Sequence, residues 1–543
     1  MLRILGILFV LGAILGGVGE LFSLEFPAVR FPFRLSRELG WLHVDNEGLL
    51  GNLYGRAENQ FLWFGWAATL LLALVGCYLI FRFWRKNAFG PITLRRIQRF
   101  KSIRRGYISL LILVTLAGIA SLDHFLVGKE ALLVKCDGKW TSPALTSKVE
   151  KGKDYGLTEG DSAESPVAYR DLKKQWAEAG VEEGWILMPL VPYAPTEDPV
   201  RSSWTALTEK DGKLYKGGEL YSGNASQVYD LDNPERQHLR FRFRDGIKSG
   251  VADGWDREGN RVYAAEYRGG VLLPEKQKWN GKGAVEEFLK VESSVLCEVH
   301  YRPAPPKLDQ APRHLLGTNP DGYDVVAYLY GGLQVNFKAA CVYIPLVYFI
   351  GITVGLLMGY FGGWFDLIVQ RVIEILSNIP FLFVVMIAST AVPEKMKEQF
   401  GLWIIIAILV AFGWMGMTYL MRTAALKEKA RDYIAASRVV GASTMRVIFK
   451  HLLPNSIAIV VTLIPFSISG LVLSLTALDY LGFGLPGKYA SWGRLLKDGL
   501  DALSAPWLVT SAFLCLVVVL ILITFVGEAV REAFDPKKFS YYR

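Results

Sequence analysis

Along most of this chain apolar residues do not alternate with polar ones; they run. Uncharged stretches of about 20 residues, long enough as helices to cross a hydrocarbon core roughly 30 Å thick, lie near residues 61–80, 107–122, 339–363, 375–392, 402–421, 457–478 and 507–526. An eighth run, 4–19, is shorter and stops at Glu20. Its flank Gly16-Gly17-Val18-Gly19-Glu20 is a poor cleavage site, so the segment reads as a retained span rather than a leader. Between 128 and 312 the pattern changes: acidic and basic residues nearly balance, and Trp, Tyr and Gly are frequent. There, 169–184 reads as a helix stopped by Gly184, and 238–246 alternates Phe and Arg with period two before a turn, as a half-buried strand does. About 180 residues suffice for a separate core. The pattern predicts an all-α polytopic membrane protein carrying a small α+β insert.

Composition agrees with this: 52% of the 543 residues are hydrophobic, which excludes an ordinary soluble protein. The net charge of +9 is uneven and fixes an orientation. Arg82, Arg85, Lys86, Arg95, Arg96, Arg99, Lys101, Arg104 and Arg105 form a loop with no acidic residue, which marks it as cytoplasmic. Counting crossings puts 128–330 outside and 422–450 inside, and the latter is again basic, with seven Lys and Arg against Glu428 and Asp432. The same count puts the turn 479–489 outside. That turn contains Gly482 and Gly487-Lys488 at the spacing of a phosphate-binding loop, but Tyr489 stands where a Ser or Thr must hold Mg²⁺, and no ATP is available on that face. Of the five cysteines, Cys77, Cys341 and Cys515 sit in apolar runs as packing residues. Cys136 and Cys297, near the two ends of the insert, form a possible disulfide in an oxidising compartment.

No metal-ligand cluster and no cofactor is indicated, and neither H-E-x-x-H nor G-x-S-x-G occurs, so nothing supports a membrane-embedded enzyme. Nor is there a convincing acidic or His residue near a span midplane, as a stand-alone proton-coupled carrier requires. Asp366, Arg371 and Glu374 cluster at the cytoplasmic interface as a snorkelling network, whereas Asp479 ends the seventh span at the outer face, beside the glycine-rich turn. In the second basic loop, 431–455 reads as a short helix of small residues broken by Gly441, then a second helix, with Pro454 opening the next span. Small side chains let such a helix sit deep in a partner's groove; the plainer alternative is a hairpin that only connects two spans.

Five further stretches accompany it: "HLLGTNPDGYDVVAYLYGG" at 314–332, "GYFGGWFD" at 359–366 and the closing "SWGRLL", "APWL" and "GEAVREAFDP". In this order and spacing they resemble the inner-membrane permease subunits of dipeptide and oligopeptide ABC importers, including the microcin C and oligopeptide uptake permeases. The resemblance covers 314–537 almost continuously and reaches two stretches upstream of it, 104–114 before the insert and 132–140 at the insert's start. The loop 431–455 is similar to that family's EAA loop: Ala435, Ala436 and Ser437 take the E-A-A positions, followed by Arg438, Gly441, His451, Leu453 and Pro454. Ala435 replaces the Glu and His451 the Ile. Gly317, Thr318, Asp321, Gly322, Asp324 and Val325 match the G-T-D-x-x-G-R-D-V motif of the outer side, where Asn319 and Tyr323 depart from it.

The resemblance implies a permease subunit of the bacterial inner membrane that does no covalent chemistry. It pairs with a second permease, two cytoplasmic ATPase subunits and an extracytoplasmic binding protein, contacts membrane lipid, and binds no nucleic acid. Its ATPase-coupling residues are Ala435, Ala436, Ser437, Arg438, Gly441, Leu453 and Pro454; Asp479 joins the outer motif as a pathway candidate. Peptides are the implied substrate, with a nickel or other metal chelate as the alternative. The expected organisation is 1–98, an N-terminal extension with one or two extra spans and the first basic loop; 99–127, the first core span; 128–312, the insert; and 313–543, the remaining permease domain.

Overall fold

A computed structural model of the chain describes residues 2–21, 33, 62–82 and 91–535, apart from 137, 147–149, 156–165, 180–183, 198–202, 232–233, 235, 290–294, 301–302 and 307–313. Arg85 and Lys86 of the first basic loop lie outside the described residues. The chain divides into two compact units: Met1–Asp198 with Val326–Arg543, and Pro199–Val325.

The first unit is helical: α1 Leu2–Leu21, α2 Leu62–Arg82, α3 Pro91–Ser102, α4 Arg104–Ser121, α5 Tyr169–Ala179, α6 Val325–Phe361, α7 Gly363–Asn378, α8 Phe381–Ala391, α9 Glu394–Lys429, α10 Asp432–Val439, α11 Thr444–Tyr480, α12 Trp492–Asp501 and α13 Pro506–Phe534. Among the described residues five helices are long and apolar enough to cross a membrane, namely α4, α6, α9, α11 and α13. The span expected at 375–392 is not one helix: α7 and α8 meet at 79°. Pro380 has no N–H to continue the ladder and forces Ile379 to extended backbone, φ −80° and ψ 123°, which breaks the helix there. The two N-terminal runs are the shorter apolar helices, and α1 and α2 approach closely: a Cβ on Gly76 meets the Gly6 carbonyl at 2.8 Å.

Close approach also joins α6 to α9. Gly351, Gly355 and Gly359 repeat every four residues and so share one face of α6. A Cβ there meets Met417 Cβ at 2.7 Å, the Thr418 carbonyl at 2.5 Å and Ala425 Cβ at 2.5 Å, respectively. The stripe lets two backbones pack where lipid provides no hydrophobic drive between helices. Two apolar clusters flank it: Val335, Ala339, Leu402, Ile405 and Leu475 toward one end, and Val347, Met417, Met421, Val447 and Leu452 toward the other.

This unit also holds a small antiparallel sheet, Lys139–Thr141, Leu133–Cys136 and Trp185–Leu187, whose Val134 and Ile186 pack with Tyr155, Tyr169 and Leu172. The residues after α4 are therefore shared between units: those before 199 belong with the helices. The second unit is mainly strand, with short helical turns at Pro274–Lys276 and Val285–Leu289. Its larger antiparallel sheet runs Val271–Leu272, Arg261–Arg268, Gly250–Trp255, Gln237–Arg244, Gly223–Val228, Cys297–His300 and Ser203–Ala206. The period-two segment is the strand Gln237–Arg244, burying Leu239, Phe241 and Phe243 before turning at Asp245 and Gly246. With the helix at α5, the insert is α+β as expected but weighted to strands.

Cys297 is fully buried in this sheet as a free thiol, and its Sγ donates to the Ser226 carbonyl at 3.2 Å. Burial pushes the Cys297 thiol up; Cys136, the other cysteine of the expected disulfide, lies on the small sheet of the first unit. A thiol reagent applied without reductant should leave Cys297 untouched in the native protein and modify it fully after unfolding. Protection that persists after unfolding contradicts the free thiol.

Candidate functional site

The loop between α9 and α11 is built on one buried side chain. Arg431 is extended, α10 starts at Asp432, and Ile434, 1% exposed, packs into the cluster of Met421, Ala425, Val447, Ile448 and Leu452. With Ile434 turned inward, Ala435, Ala436 and Arg438 face outward. The helix closes on a two-bond cap: the Ala442 N–H donates to the Ser437 carbonyl at 3.0 Å and the Gly441 N–H to the Arg438 carbonyl at 2.9 Å. Such a cap requires a left-handed residue after the helix, and Gly441 supplies it at φ 86°. Val439 and Val440 stand 88% and 87% exposed beyond it, with Met445 and Phe449 also outward.

Pro454 does not open the next span. α11 begins earlier, at Thr444, and runs through Pro454 by widening to a π-turn over Val447–Leu452. The missing N–H and the ring's crowding of the preceding turn account for that widening. Leu453 is half-buried against the Ile434 cluster. His451, at the family Ile position, faces Ser437, two residues after Ala435, with Nε2 and Oγ at 3.4 Å.

Tyr360, from the "GYFGGWFD" stretch, ties this loop to α6. The Arg438 guanidinium lies over its ring at 4.9 Å, Lys429 Nζ donates to its carbonyl at 2.6 Å, and its hydroxyl donates to Thr444 Oγ1 at 3.5 Å. Six residues on, the Asp366 carboxylate accepts two hydrogen bonds from Arg422, at 2.5 Å from Nε and 2.6 Å from Nη2, joining α7 to α9. Asp366 is therefore not part of a loose interfacial network with Arg371 and Glu374, which pair with each other at 2.5 Å. Its carboxylate is only 11% exposed, and a charge so placed needs the bidentate partner.

α11 has 37 residues, so its far end lies about 55 Å from this loop. There the Asp479 carboxylate accepts the Leu485 N–H at 2.5 Å and the Ser491 hydroxyl, while Arg494 donates to the Leu485 carbonyl at 2.6 Å. Asp479 anchors the glycine-rich turn. Lys488 Nζ lies over the Tyr489 ring at 5.1 Å and its carbonyl accepts Thr196 Oγ1 at 2.8 Å, so the turn is fastened to the segment after α4 and is no phosphate cradle.

In the second unit the motif 317–325 folds back on itself. Asn319 Oδ1 accepts the Tyr323 N–H at 2.8 Å, the Val325 N–H donates to the Gly317 carbonyl at 3.0 Å, and His314 Nδ1 and Asp324 Oδ2 pair at 2.8 Å. Thr318 and Asp324 are buried, Gly322 makes the left-handed turn, and Asp321 is exposed at the tip. Asn319, where the family has Asp, still closes the turn through its side-chain oxygen.

Residues 351–540 match the family described as "Binding-protein-dependent transport system inner membrane component". The chain is 27% identical over 451 residues, 83% of its length and 94% of the relative's, to the peptidoglycan transport system permease protein YejE of Agrobacterium fabrum. To the inner membrane ABC transporter permease protein YejE of Escherichia coli it is 28% identical over 454 residues, covering 83% and 99%. To the oligopeptide transport system permease protein OppC of Bacillus subtilis it is 31% identical over 236 residues, covering 43% of this chain and 73% of that one. The chain belongs to this permease family.

As a family member the permease is an inner-membrane transport component and not a catalyst. Its expected loop residues, Ala435 to Pro454, come together in one surface; the 317–324 motif and Asp479 form two others, the former in the second unit and the latter in the first. Sequence reasoning missed Tyr360 and Arg422. Arg422 had a signal: it is the first charge after the long apolar run of α9, where a cation without a partner is costly.

Proposed function

We propose that this permease forms part of the translocation pathway of an ATP-driven peptide importer, with 431–455 as the surface that docks a cytoplasmic ATPase. The observation that carries this reading is the loop's construction. One side chain, Ile434, fixes it to the ends of α9 and α11, while small residues at Ala435 and Ala436 and bare Val439 and Val440 face outward. An apolar patch exposed outside the lipid-facing length of the helices is one that a partner covers. A push on α10 moves α9 through Met421 and Ala425 and α11 through Val447 and Ile448, so motion at the loop reaches both spans. The relatives named for oligopeptide and peptidoglycan transport support a peptide substrate. A second permease, two ATPase subunits and an extracytoplasmic binding protein complete the assembly in this reading.

Vesicles holding the whole complex, with the binding protein supplied, should take up a labelled oligopeptide only with ATP. Excess unlabelled oligopeptide should compete and a nickel chelate should not. Uptake that proceeds without ATPase subunits contradicts the proposal.

A further inference from the structure

A cavity of about 540 Å³ opens in the helical unit where the segment after α4 meets α6 and the turn after α11. Three lysines and three glutamates line it, and most are already used. Lys129 pairs with Glu197 at 3.0 Å; Glu150 accepts the hydroxyls of Tyr155 and Tyr169; Lys488 lies over Tyr489. Two opposite charges are left, Glu130 and Lys338. Among the described residues neither makes an ion pair or a hydrogen bond, with the other or with anything else. Burial pushes the Glu130 carboxyl above the usual range, although Lys129 and His124 nearby pull it down. Lys338 stands on α6 just before the apolar run that starts at Ala339.

Opposite charges that share one cavity yet stay apart leave room for a molecule that brings both counter-charges. We propose that this cavity binds the two ends of a short zwitterionic peptide, its ammonium at Glu130 and its carboxylate at Lys338. An extended tripeptide, about 10 Å long, suits a cavity of this size. The site stands beside the outer end of α4, where Gln334 and Tyr330 of α6 donate to the Ala120 and Ile119 carbonyls, so a ligand held there lies against the helix bundle itself. It thus gives the permease its own selection for free peptide termini. The inference rests on the peptide-import reading.

Titration calorimetry of the permease–ATPase complex without binding protein tests it, with trialanine, N-acetyl-trialanine and trialanine amide as probes. Trialanine should bind at least tenfold more tightly than either blocked form. Glu130→Gln should weaken trialanine at least tenfold yet leave N-acetyl-trialanine unchanged, and Lys338→Met should do the same with the amide. Equal affinity for all three peptides in the unaltered protein, no binding of trialanine, or unchanged discrimination in both variants overturns the site. ATP-driven uptake of labelled trialanine in the whole complex separates the two failures: uptake without discrimination sinks only this site, and absence of uptake of any oligopeptide sinks the peptide reading.

Discussion

Arg422→Ala is expected to lower the stability of the permease by about 3 to 5 kcal/mol and to remove transport with it. The Asp366 carboxylate, 11% exposed, would lose both hydrogen bonds from the guanidinium at once and remain as a buried, uncompensated anion between α7 and α9. Lysine is not a substitute, because one ammonium cannot present the two parallel donors that both carboxylate oxygens accept. The cost therefore comes from the stranded charge as well as from the lost contact. Asp366→Leu combined with Arg422→Met, which removes both charges, should cost clearly less than Arg422→Ala alone. Thermal unfolding of the detergent-purified protein reads Arg422→Ala, Asp366→Leu and the double variant. Costs that simply add would show that the two side chains act independently and that the pair does not fasten α7.

Gly441→Val is the second change with a large expected effect, and it acts on coupling, not on insertion. At φ 86° a β-branched residue is strained by about 1 to 3 kcal/mol, although a Cβ there meets no atom within 4 Å. With open space and a poor backbone angle, the cap from Ala442 to Ser437 opens and α10 swings off its seat on Ile434. The permease should still reach the membrane at normal level, with peptide uptake lost. Gly441→Asn separates the backbone cause from any other, since Asn tolerates the left-handed region and should retain most of the uptake. Equal loss in both variants would point away from the backbone angle.

The membrane helices were legible because length and lack of charge suffice to mark them, and the bend between α7 and α8 was legible in principle, since Pro380 stands in the middle of the expected span. Gly441 was readable for the same reason: one residue type serves one backbone conformation. What did not show were contacts between distant residues. Asp366 and Arg422 are 56 positions apart, and nothing in either neighbourhood names the other. Tyr360 looks like one more aromatic in an apolar stretch until Arg438 and Lys429 are placed around it. The burial of Cys297 was not legible because position near a segment's end says nothing about which way a strand faces. The division of the insert at 198 was hidden because composition is continuous across it.

If the face of 431–455 built from Ala435, Ala436, Val439 and Val440 docks an ATPase, that subunit lies within a few ångströms of it. Cysteine at Val440, 87% exposed, allows a direct test: a short crosslinker that joins its thiol to a lysine amine of the neighbouring subunit, applied to the assembled complex and followed by mass spectrometry of the product. A crosslink from Val440→Cys to the ATPase subunit is expected, lost when Gly441→Val is added and unaffected by the Glu130→Gln change near the far end of the helices. Efficient ATP-driven peptide uptake with no crosslink from Val440→Cys to the ATPase would contradict it and leave the loop a connector between two spans.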